Sequence, residues 1–116
     1  EIFEGALLFA ERTRNRSLES ASHSGLAVTS ARSLNYVDSL RHSTETLRIS
    51  KEINHKVAQR IALSNMGNAY LELQQYNKAK ECYHSALQHA EAEKDFEGQV
   101  LAHANLANCY RSLGRV

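Results

Sequence analysis

Proline and tryptophan are absent from this chain of 116 residues, and glycine occurs only five times. Missing proline removes the strongest interruption a helix can meet, and few glycines leave few weak points inside one. Cysteine stands at two positions only, Cys82 and Cys109. That is neither the density of a disulfide-stapled secreted domain nor the close spacing of a zinc knuckle. Both are expected to be reduced thiols packed as small apolar residues. Charge of one sign is lacking too: 14 Lys and Arg face 13 Asp and Glu, leaving a net charge of +1 and a pI near 8.1. A nucleic-acid-binding face needs a denser basic stripe than this. The one basic cluster, Arg12, Arg14 and Arg16, reads as a solvated helix end favoured by the C-terminal dipole rather than a phosphate site. No apolar run approaches membrane-spanning length, Ala6–Ala10 being far too short. The expected setting is cytoplasmic, with no membrane and no nucleic acid among the partners.

What the chain does have is a repeat. Residues 61–73 and 101–113 share Ala62/Ala102, Asn65/Asn105, Asn68/Asn108, Tyr70/Tyr110 and Leu73/Leu113 at a separation of 40 residues. The register extends through Tyr36/Tyr76, Leu47/Leu87 and Gln59/Gln99, and through the rows Ala6/Thr46/Ala86 and Phe3/Ser43/Tyr83, without an insertion. A fixed period of this size is the mark of a solenoid, whose units bury their apolar faces by stacking. The frame predicts the second helix of a partial repeat over 1–19, whole repeats over 20–59 and 60–99, and the first helix of a further repeat over 100–116. Both ends then read as cut surfaces.

Within a unit, helical spacing of Leu63, Met66, Gly67, Tyr70 and Leu71 predicts a first helix over roughly 60–73. A turn at Gln74–Gln75 follows, where Gly114 one period later suits a helix C-terminus. Ala79, Cys82, Tyr83, Ala86, Leu87 and Ala90 predict a second helix over roughly 76–94. Asn35 followed by Asp38 marks a helix start in the preceding unit. Small residues recur in the rows Ala27/Gly67/Ala107, Ser39/Ala79 and Ala6/Thr46/Ala86, where two helices must approach closely. Tyr70, Tyr76, Tyr83 and Tyr110 are expected to fill the complementary spaces.

These residues carry a resemblance. Met66, Gly67, Tyr70, Ala79, Tyr83 and Ala86, continued by Leu106, Ala107 and Tyr110, resemble the tetratricopeptide repeat pattern at its internal spacings. That family repeats every 34 residues or so, whereas this chain repeats every 40; the additional residues near Glu91–Asp95 look like a longer second helix. The period, with Met66-Gly67-Asn68 and Leu106-Ala107-Asn108, is similar to the Leu-Gly-Asn repeat proteins, the G-protein-signalling modulators. The first full unit departs from the pattern, with Leu26-Ala27-Val28, Ser30 and Ser43 at the matching positions. The resemblance implies an all-α, right-handed superhelical solenoid of antiparallel helix hairpins.

No catalytic constellation stands out. His84 and His89 are off the i, i+4 spacing of a helical metal pair, and His42 and His55 join no cluster. His23 and His103 share one repeat position with Leu63 between them, which suits partly buried helix residues, or else a pH-sensitive contact. There is no phosphate loop or nucleophile elbow, and Glu91, Glu93, Asp95 and Glu97 read as a solvated run. Neither an enzyme nor a bound cofactor or metal is expected.

The polar residues with the best claim to function are the repeated asparagines. The resemblance places Asn68 and Asn108 on the concave groove, with Ser64 and Glu72 one turn to either side, and Ala104, Arg111 and Ser112 in the next unit. An amide both donates and accepts, so a ladder of asparagines can hold the backbone of an extended peptide. Glu72, Arg111 and Arg32 would set charge preference and register. Asn65 and Asn105 join this candidate set. For all four asparagines the alternative is a structural bond between helices. Val28 interrupts the ladder. The expected function is a protein-interaction scaffold that holds a peptide or helix of a partner, as part of a longer array in signalling or assembly. The alternatives are a self-associating structural module, joined through exposed terminal helices, and, less well supported, an RNA-binding helical repeat.

Overall fold

The computed structural model describes residues 2–114. Its elements in chain order are α1 (Ile2–Thr13), α2 (Arg16–Arg32), α3 (Tyr36–Glu52), α4 (Lys56–Glu72), α5 (Tyr76–Ala92) and α6 (Phe96–Leu113). Among the described residues there is no strand. Each helix packs on its neighbours in sequence, and α2 also touches α4. The result is a slab of 46 × 32 × 19 Å, the proportions of a stack of hairpins.

One device makes every linker, and it recurs at half the sequence period. Arg14, Leu34, Asn54, Gln74 and Lys94 lie 20 residues apart, all with φ between 55° and 62°. A left-handed L-residue costs about 1–2 kcal/mol. The cost is offset because the turn satisfies carbonyls the helix end would otherwise leave unpaired. The N–H of the next residue reaches back five positions: Asn15 to Ala10, Asn35 to Ser30, His55 to Ser50, Gln75 to Tyr70 and Asp95 to Ala90, at 2.8–2.9 Å. The same residue then opens the following helix. Asn15 Oδ1 accepts from the Leu18 amide, Asn35 Oδ1 from Asp38, His55 Nδ1 from Ala58 and Asp95 Oδ1 from Gly98. Only Gln75 makes no side-chain cap.

These caps shift the expected boundaries. The helices predicted from 60 and 100 begin at Lys56 and Phe96, and the second helix ends at Ala92. The cuts at 19/20, 59/60 and 99/100 therefore fall inside α2, α4 and α6, and α1 stops at Thr13. The extra length is not a longer second helix either: α4 and α5 both have 17 residues. Gly114 has φ −70°, so the left-handed cap expected there is made one period earlier, by Gln74.

Packing divides the stack into two kinds of core. Between α4, α5 and α6, Ala79, Tyr83, Leu106 and Cys109 are buried together, with Tyr70, Leu71 and Leu87 against them. A Cβ on Gly67 would meet Tyr83 Cε1 at 2.6 Å, so the ring lies directly on the glycine. Between α2 and α3 the same rows are polar: Ser20, Ser22, His23, Ser39, His42, Ser43, Thr46 and Ser50 are all buried. Their hydroxyls donate mostly to carbonyls of their own preceding turn, Ser22 to Leu18, Ser43 to Ser39 and Thr46 to His42. Ser39 donates across the pair to Ala27 at 2.8 Å. Self-satisfied hydroxyls are cheap to bury but bring little apolar area. Both cysteines are free and buried, as expected, and burial pushes the Cys82 thiol up to about 11. Tyr110, expected to fill a core space, is 51% exposed and meets His84 Nε2 at 3.2 Å.

Candidate functional site

Helix spacing puts Asn65, Asn68 and Glu72 on one stripe of α4. The antiparallel return through α3 places α2 beside it. A groove of about 330 Å³ opens between them, lined by Val28 and Arg32 of α2 and by Asn65, Asn68 and Glu72 of α4, with Tyr36 and Ser39 of α3 at its floor. Four of the residues singled out in the sequence thus meet in one depression. A second, of about 540 Å³, lies between α4 and α6 and takes Glu72 together with Asn108, Arg111 and Ser112. Glu72 borders both. Ser64 and Asn105 are half-buried and line neither.

The asparagines are not equivalent. Asn68 is exposed at the groove, yet its Oδ1 accepts a 2.6 Å hydrogen bond from Tyr83 Oη. Burial raises the Tyr83 phenol far above its ordinary pKa, so it stays the donor. The bond orients the amide and leaves its N–H groups as the side that can meet an acceptor. The groove and inter-helix readings of Asn68 therefore coexist in one side chain. Asn108 has no tyrosine above it; its Oδ1 accepts from the Arg111 guanidinium. Among the described residues Arg32 and Glu72 make no ion pair.

Other polar groups behave differently from what their spacing suggests. Arg60 reaches Glu93 at 3.3 Å and Asp95 at 3.2 Å, all three side chains being at most one-third exposed. Half of the expected solvated acid run is thus a clamp between the start of α4 and the linker after α5. Arg16, placed with Arg12 and Arg14 at a helix end, opens α2 instead and pairs with Glu19 and with Glu52 of α3.

A contact that sequence reading missed is the pair His23 and His42. Their Nδ1 atoms are 2.9 Å apart, their rings are 5.2 Å between centroids, and each residue is 9% exposed. The two residues lie at unequal distances from the turn at Leu34, so no count along the sequence would have paired them. At 2.9 Å one Nδ1 must donate and the other accept, so the two rings cannot both be charged without strong repulsion. Burial is the main cause lowering both pKa values; Arg41 adds to it, while Glu45, Glu19 and Glu11 near His23, and Asp38 and Glu4 near His42, oppose it. In the unfolded chain these rings take up protons below about pH 6.5. Folding holds them neutral, so their contribution is complete above that pH and is lost as pH falls towards the lower folded values. Thermal melts should be flat above pH 7 and fall steadily from about pH 6.5 downwards. His23→Leu, which installs the residue found at position 63, should flatten that fall. An unchanged pH slope in the variant would place the acid sensitivity elsewhere.

Among the described residues, no helix is long and apolar enough to cross a membrane. No curated protein matches the sequence. A family model does: the tetratricopeptide repeat matches residues 61–93, the stretch that holds Gly67, Tyr70, Ala79, Tyr83 and Ala86. With that match lying across the α4–α5 hairpin, and with α2 and α3 before it and α6 after it packed in sequence, the described residues form an all-α stack of helix hairpins of which the α4–α5 unit is similar to a tetratricopeptide repeat.

Proposed function

We propose that the face formed by α2, α4 and α6 binds an extended segment of a partner protein. Repeats of this family mediate protein–protein interaction, and the observation that carries the reading is the meeting of Arg32, Asn65, Asn68 and Glu72 in one groove. Asparagine amides at spaced positions supply backbone hydrogen bonds to a peptide, while the flanking arginine and glutamate select its charges. Val28 and Tyr36 add apolar contact at the α2 end. Glu72 on both depressions opposes a polyanion, which argues against RNA. The period of 40 and the two tripeptides support the narrower likeness to the Leu-Gly-Asn repeat proteins, and with it a place in signalling or assembly.

Replacing Asn68 and Asn108 together by alanine should weaken a groove-bound peptide by about 1–3 kcal/mol. The peptides are those selected from a displayed random library on the immobilised chain, with affinity read by calorimetric titration. Tyr83→Phe is the control, because it removes the anchoring bond of Asn68 but leaves the amide in place. Selected peptides that bind the double variant as tightly as the parent would remove the groove from consideration.

A further inference from the structure

On the side of α4 away from the groove lies a second polar cleft, and we infer that it binds an acidic segment of a partner protein through that segment's carboxylates. This binding is independent of what the groove holds. The cleft, of about 520 Å³, opens between Lys51 in the last turn of α3 and the stripe Ser85, His89 and Ala92 of α5. Lys56 and Leu63 reach it from α4. At 3.6 residues per turn, both point about 120–180° away from Asn65, Asn68 and Glu72 around the helix. The two sites thus lie on opposite faces of α4 and share no lining residue.

The preceding unit shows what this cleft lacks. One period of 40 residues earlier, Arg16 holds the place of Lys56 and Arg48 that of Gln88. Arg16 pairs with Glu19 and Glu52, and Arg48 with Glu45 and Glu52. In the later unit those three acids become Gln59, Ser85 and Ala92. Position 56 keeps its cation, while both carboxylates that meet its counterpart are replaced by neutral side chains. Lys51 adds a second cation where the earlier unit has Glu11. Among the described residues neither lysine makes an ion pair.

Glu93, in the cleft wall, has its Oε2 on Arg60 at 3.3 Å. Its other oxygen, Oε1, is buried and meets no donor among the described residues. An acidic peptide answers both features. Its carboxylates take the place over Lys56 that Glu52 holds over Arg16, and its backbone N–H groups offer Oε1 a donor. A phosphodiester chain brings its charge against Glu93 with no backbone N–H to meet that oxygen.

Fluorescence anisotropy of labelled hexaglutamate, titrated with the 116-residue chain in about 0.1 M salt, tests this, with labelled hexauridylate as the phosphate counterpart. Hexaglutamate should bind, and hexauridylate more weakly. Lys51→Gln with Lys56→Gln removes two exposed ion pairs and should weaken hexaglutamate about tenfold. Ala92→Glu, which installs the carboxylate that Glu52 supplies to Arg16, should weaken it similarly by closing the cleft from within. Arg32→Gln with Arg111→Gln, and Val37→Glu, make the same charge changes far from the cleft and should leave the affinity unchanged. All these positions are exposed, so circular dichroism should report unchanged helix content. A parent chain that does not bind hexaglutamate, or a lysine variant that binds it equally well, would overturn the inference. Equal weakening in the distant variants would overturn it by showing a response to net charge alone. Tighter binding of hexauridylate, lost with the lysines, would assign the cleft to phosphates instead.

Discussion

Tyr83→Ala should remove about 3–5 kcal/mol of folding stability, more than any other single truncation of this core. Tyr83 is 1% exposed, the largest fully buried side chain, and sits where α4, α5 and α6 meet, against Ala79, Leu106 and Cys109. Truncation empties that junction, and Ala79, Leu106 and Cys109 are held on helices that would have to shift to fill it. The phenol also donates to Asn68 across the pair. Total stability for a domain of this size is of order 5–15 kcal/mol, so the variant should lose a large share of it and unfold at a markedly lower urea concentration. Urea titration followed by circular dichroism measures it. Tyr83→Phe separates the two contributions, because it keeps the ring and loses only the hydrogen bond, for about 1 kcal/mol. A Tyr83→Ala protein as stable as Tyr83→Phe would mean that the ring does not hold the junction.

Gly67→Leu should be disruptive for the opposite reason, with at least about 1–3 kcal/mol lost to overpacking. Even a Cβ at this position would lie 2.6, 2.8 and 3.0 Å from three atoms of the Tyr83 ring. The ring cannot swing aside, being buried and tied through its hydroxyl to Asn68. Gly25 offers the internal comparison. A Cβ there would come still closer, 2.3 Å, to Phe3. Phe3, however, is 37% exposed, whereas Tyr83 is 1% exposed. Gly67→Ala should therefore cost clearly more than Gly25→Ala, although the nominal overlap is smaller. Equal melting temperatures for the two alanine variants would show that α5 shifts to admit the methyl, and that the α4–α5 contact is softer than its geometry implies.

The repeat made much of the fold legible. Rows such as Ala27/Gly67 and Ser39/Ala79 could be aligned at a separation of 40 because stacking makes each unit meet the same neighbours, so the same sizes recur. The candidate groove was legible to the same extent: Arg32, Asn65, Asn68 and Glu72 were picked from two helices and share one depression. Ser64, one turn from Asn68, and Asn105, the repeat partner of Asn65, are half-buried and line neither depression.

What was less legible lies in the linkers and in the contacts between non-equivalent positions. Arg14, Leu34, Asn54, Gln74 and Lys94 have nothing in common as side chains, because the left-handed turn is held by backbone bonds alone. Their half-period of 20 was therefore hidden from any comparison of residue types. The helix starts at Lys56 and Phe96 were missed for a related reason: their caps come from a histidine and an aspartate, and their first turns lack the apolar stripe that periodicity detects.

By itself the sequence determined that this chain is helical, that its helices pair in a 40-residue frame, and which faces of them pack, since these follow from propensity and from apolar spacing along one segment. The tertiary structure decided the rest. It determined that His23 meets His42, that Arg60 closes on Glu93 and Asp95, and that Asn68 accepts from Tyr83 while lining the groove. Each of these depends on the angle and offset at which two helices cross. Those are set by the summed packing of many side chains around a backbone-held turn, and no single stretch of sequence records them.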